Sequence, residues 1–167
     1  SWLGAFANVT LDRDALRRQD YQIVRDDVLS IVGMPNGGGS LDSTLMWAGW
    51  NSIAVGTRNE SHESGETSSA SDGAGRQKPF IVAPGDLVSW SAPMVTASVA
   101  LLLETIDTDP VLSADPDARK PEVLKAVLGA SASHTRLGGV AWSNAPVASG
   151  PERGFSSKPL DLSLIHI

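Results

Sequence analysis

A chain of 167 residues is one domain or part of one, and 41% hydrophobic content fits a globular fold. A net charge of −6 argues against nucleic acid as a partner. With no cysteine there is neither a disulfide framework nor a thiolate metal site, and no apolar run approaches the ~20 residues of a spanning helix, so no membrane partner is expected.

The chain opens on Ser1-Trp2-Leu3-Gly4, read as part of a core strand. No charged n-region and no apolar h-region precede it, so no signal peptide is visible. Asp12 to Arg25 is charged, with Leu16, Ile23 and Val24 among its apolar positions, and reads as a surface helix. Val28 to Gly33 is short, apolar and partly β-branched, and reads as a buried strand running into the Gly-rich turn Met34-Pro35-Asn36-Gly37-Gly38-Gly39. Trp50 to Gly56 reads as the next strand, 57–77 as a polar loop, and 80–83 as another buried strand ending at Pro84-Gly85. Ala92 to Ile106 is almost wholly apolar, which predicts a helix buried all round, with Pro93 tolerated in its first turn. After a loop over Asp107 to Arg119, Pro121-Glu122 opens a last helix with Val123, Leu124, Val127 and Leu128 as its stripe and Gly129 near its end. From Gly138 the tail is irregular. Strands alternating with helices predict an α/β fold: a parallel sheet flanked by helices.

Chemistry concentrates at Ser89. An apolar strand, a Pro-Gly turn, a serine and then an apolar helix place one hydroxyl at a helix N-terminus, beside free backbone N–H groups and the positive end of the dipole. Those surroundings suit an acyl-transfer nucleophile. They also suit a plain helix N-cap, a position serine often fills.

The run Lys78-Pro79-Phe80-Ile81-Val82-Ala83-Pro84-Gly85, followed by Ser89 and Pro93, resembles the nucleophile region of the subtilisin-like serine proteases. In that family Lys-Pro-Asp-Ile-Val-Ala-Pro-Gly precedes Gly-Thr-Ser-x-x-x-Pro. The strand ending at Asn36-Gly37 is similar to the family's Gly-Asn-x-Gly, whose asparagine donates its amide to the oxyanion, and Ser52-Ile53-Ala54-Val55-Gly56 resembles the strand that follows. The matches span roughly residues 28 to 105, in family order. The resemblance implies a subtilisin-like three-layer α/β/α fold and a serine endopeptidase with Ser89 as nucleophile and Asn36 in the oxyanion hole. It implies a protein or peptide substrate, no cofactor, and a secreted or cell-envelope setting. The family often carries structural calcium, but no Asp/Glu cluster here has a convincing ligand spacing.

A triad in the order Asp, His, Ser would place both partners before Asn36. His62, His134 and His166 all follow it, and each reads more simply as a solvated histidine. Residues 1–161 therefore read as the C-terminal portion of a subtilisin-like peptidase domain, inactive by itself, with the triad Asp and His upstream. Residues 162–167, Leu-Ser-Leu-Ile-His-Ile, read as a sequencing-adapter scar.

Leu87-Val88 stands where the family has Gly-Thr, Pro35 where it has glycine, and only three residues separate Gly85 from Ser89. A leucine at 87 is expected to alter the turn. These departures keep open a catalytically inactive pseudoprotease acting as a binding module. A sedolisin would use aspartate at the oxyanion, against Asn36; a lipase would need Gly-x-Ser-x-Gly around Ser89. Asn36-Gly37 is also an ordinary turn pair, and the Gly-rich loop lacks the lysine and spacing of a phosphate loop.

Overall fold

The computed structural model describes residues 9–36, 46–58 and 79–132, together with the backbone of 160–161. The elements are α1 (Val9–Arg25), β1 (Ile31–Gly33), β2 (Ile53–Thr57), β3 (Ile81–Ala83), α2 (Val88–Thr108), α3 (Pro121–Ser131) and β4 (Leu160–Asp161). The strands form one parallel sheet in the order β1-β2-β3-β4, with Ile31 opposite Ile53 and Val55 opposite Ile81. This is the parallel α/β arrangement that the alternation of strands and helices predicts. The short strand β4 falls in the tail read as irregular.

The buried face and the C-terminal end of α1 follow from its sequence. Asp12, Leu16, Gln19 and Ile23 are buried at helical spacing, while Leu11 and Val24 stay exposed. Asp27 adopts φ 49°, and the Val28 N–H reaches back to the Ile23 carbonyl at 3.1 Å, the left-handed cap that ends a helix. This turn leaves Val28 exposed, so strand pairing starts at Ile31 rather than Val28.

Alternate residues of the sheet face opposite ways and build two cores. Ile53, Val55, Ile81 and Ala83 pack against Val95, Val99 and Ile106 of α2 and Leu124 and Leu128 of α3. On the other face Val32, Met34 and Ala54 pack with Leu16 of α1 and the buried Trp47. Helices thus cover both faces of the sheet.

Two expectations for α2 fail. The helix starts at Val88, so Pro93 sits six residues in rather than in the first turn. Lacking an N–H, Pro93 leaves the carbonyl of Ser89, four residues earlier, without its helical donor. The helix is also not buried all round. Val88, Ser91, Val95, Val99 and Ile106 form its buried line, whereas Trp90, Met94 and Leu101 are about half exposed. By length and composition alone α2 could cross a bilayer; here its buried line packs on the sheet as a core helix does.

The third helix, α3, begins with Pro121 at its first position and Glu122 in its first turn, as read. Residues 59–77 of the predicted loop, Lys78 and Gly37–Gly39 of the motif runs, the tail other than 160–161, the strand at Ser1, all three histidines and residues 162–167 lie outside the described residues.

Candidate active site

Ser89 is the second residue of α2 and is exposed. It is not the N-cap: that position belongs to Leu87, in extended conformation (φ −129°, ψ 144°) and with no capping side chain. The cap comes instead from Asn36, just past β1, whose Oδ1 accepts the Val88 N–H at 2.8 Å. Only the amide oxygen can accept from an N–H, so this bond fixes the side chain's orientation and leaves Nδ2 free to donate elsewhere. Among the described residues, neither Asn36 Nδ2 nor the Ser89 N–H has a hydrogen-bond partner. Among the described residues these two donors are thus unpartnered at the N-terminal, positive end of a 21-residue helix.

An open groove of about 900 Å³ runs between the end of β1 and the Ser89, Pro93, Thr96 and Ala100 side of α2, with Met34 and Trp47 in its wall. Leu87, Trp90 and Met94, close to Ser89 in sequence, are exposed apolar residues.

The two residues before Ser89 are accommodated by identifiable means. Leu87 is extended, a conformation open to any residue, so the leucine needs no glycine there. The turn's left-handed residue is Gly85, at φ +139°. Val88 is buried against Gly33: a Cβ built on Gly33 would meet Val88 Cγ1 at 2.3 Å. The Val88 side chain packs against β1 and offers no hydroxyl there. Gly33 and Val88 were legible as strand end and substituted motif residue, but their contact was not.

The sequence also offers a second serine, Ser91, which the resemblance does not single out. It is fully buried, and its Oγ donates to the carbonyls of Ala83 (3.0 Å) and Pro84 (3.2 Å). Nothing local separates Ser89 from Ser91; the helix turns one outward and the other onto β3.

The described residues thus bring the candidate nucleophile Ser89 and the candidate oxyanion donor Asn36 to one groove, and all three histidines lie outside them. Among the described residues no group of three His, Asp or Glu side chains gathers as a metal site would require. The chain matches no protein-family model, no curated protein and no solved structure.

Proposed function

We propose that this chain is the C-terminal portion of the catalytic domain of a subtilisin-like serine endopeptidase, with that family's three-layer α/β/α fold. The observation that carries the reading is the Asn36–Val88 hydrogen bond, which holds the amide of Asn36 beside the residue preceding Ser89, its Nδ2 without a partner among the described residues. Ordered motifs of the sequence support it independently.

In this reading Ser89 Oγ attacks the scissile carbonyl of a peptide. Its proton passes to a histidine oriented by an aspartate, both from the polypeptide N-terminal to Ser1, and the histidine then protonates the leaving amine. The carbonyl oxygen becomes an oxyanion and accepts hydrogen bonds from the Ser89 N–H and Asn36 Nδ2. Water hydrolyses the resulting acyl-enzyme and regenerates Ser89. No cofactor, nucleic acid or membrane partner enters the reaction, and the family's setting is secreted or cell-envelope. Residues 162–167 stand outside the domain.

The test is a fluorophosphonate reaction with the longer protein that carries Asp and His motifs upstream. A stable adduct on Ser89, lost in Ser89→Ala, is expected, while the 167-residue chain alone hydrolyses no peptide. A longer protein with both motifs that forms no adduct would instead favour a catalytically silent binding module.

A further inference from the structure

Ser91 sits two residues after Ser89, is wholly buried, and has its single O–H proton shared between the Ala83 and Pro84 carbonyls. It is therefore no second nucleophile. The surroundings fit its hydroxyl closely: a Cβ on Gly85 would lie 3.1 Å from Ser91 Oγ. The Ala83 carbonyl also accepts the Arg58 N–H at 2.9 Å, so the end of β3 is tied to the segment after β2 as well as to α2.

The turn that carries Ser89 is thus held from two strands. On the β1 side Asn36 accepts the Val88 N–H. On the β3 side Ser91 donates to the last residue of the strand and the one after it. Leu87 supplies no cap, so without these two ties the hydrogen bonds of the first turn of α2 would be its own terminal ones, the Trp90 and Ser91 N–H groups to the Leu87 carbonyl at 2.9 and 3.3 Å, beside the packing of Val88 on Gly33.

We propose that Ser91 is a positioning residue for Ser89: its hydroxyl fixes the first turn of α2 against β3 so that Ser89 and its N–H stay aligned with Asn36. The chemical consequence rests on the peptidase reading; the alignment does not. In an oriented reaction a misplacement of ~1 Å costs about 10²-fold in rate, so a clamp one turn from the nucleophile affects the chemical step.

The alignment is read by amide hydrogen exchange on the 167-residue chain. In Ser91→Ala the Val88 amide is expected to exchange at least about tenfold faster than in wild type, while the Ile53 and Val99 amides keep their protection, because local opening differs from global unfolding. Unchanged Val88 protection, or a loss shared equally by all three amides, overturns the proposal. Should Ser91→Ala fail to fold, Ser91→Cys keeps the shape with a weaker donor and gives the same reading. In the longer protein Ser91→Ala is expected to lower kcat about tenfold or more with KM unchanged; an unchanged kcat overturns the proposal. A wild type that forms no Ser89 adduct, with Val88 still released by Ser91→Ala, would remove the peptidase reading and support the clamp.

Discussion

Asn36 Oδ1 and the Val88 N–H meet at 2.8 Å across 52 residues of sequence, so a residue three past the end of β1 caps the helix that carries Ser89. One side chain thus serves stability through its oxygen and, in the proposed reaction, chemistry through its nitrogen. The two roles separate by substitution. Asn36→Asp keeps an acceptor for Val88 and loses the amide donor; Asn36→Ala loses both. Asn36→Ala is expected to cost about 1 kcal/mol in urea unfolding, the usual value of an N-cap, and Asn36→Asp much less. In the proposed reaction both should lower the kcat of the longer protein by about 10²–10³, the usual cost of losing one oxyanion-hole donor. Equal stability of Asn36→Ala and wild type would show that the cap contributes nothing.

Gly33 gives a second handle on the same turn. A methyl at that position would meet Val88 Cγ1 at 2.3 Å and Ala92 Cβ at 3.7 Å, and Val88 is buried with little room to yield. Gly33→Ala should destabilise by about 1–3 kcal/mol through overpacking. Val88→Ala removes the opposing methyls, so the double variant should recover part of that loss. A thermodynamic cycle of the four proteins reads the coupling; strict additivity would mean that the two residues do not press on one another.

How much of this was legible in the sequence follows from how local each signal is. β2, β3 and α3 were readable to within a few residues, because apolar β-branched runs and a Pro-Glu helix start carry their own information. Ser89 and Asn36 were readable as candidates from ordered motifs. The start of α2 was not, since its cap lies 52 residues away. Nor was its exposed side, because composition reports how apolar a helix is and not which of its faces finds a partner. Ser91 was overlooked for a related reason: a serine bonded to strand carbonyls differs from an exposed serine only in three dimensions.

Asp109, just after α2, offers a test by pH. Its carboxylate accepts the Leu112 N–H at 3.0 Å and the Val111 N–H at 2.8 Å, and these bonds, that of Leu112 foremost, hold its pKa below the usual 3.8. A folded-state pKa below the unfolded one contributes stability that is complete above the unfolded value and is lost as pH falls through the folded value. The stability difference between wild type and Asp109→Ala should therefore be constant at neutral pH and shrink below about pH 3.8. An NMR titration in which Asp109 protonates at or above the usual value would contradict this.

The turn at Trp50–Ser52 is gripped by opposite charges from two helices. Asp20 of α1 accepts the Trp50 and Asn51 N–H groups, both at 2.9 Å, while Lys125 of α3 donates to the Trp50 and Ser52 carbonyls at 3.4 and 3.2 Å. The Lys125 ammonium also lies 5.2 Å from the centre of the Phe80 ring, so Phe80 is part of this grip. Through Ser52 the turn leads directly into β2, and Trp47 just before it closes the core beneath α1. Asp20→Ala strands two N–H groups and should cost about 1–3 kcal/mol. Lys125→Met keeps an apolar stem against Phe80 but removes the cation, and should cost about 1 kcal/mol. Urea unfolding followed by tryptophan fluorescence measures both, and an unchanged slope would assign the losses to the folded state. If Lys125→Met unfolds at the wild-type midpoint, the lysine merely rests on the turn and adds nothing to its stability.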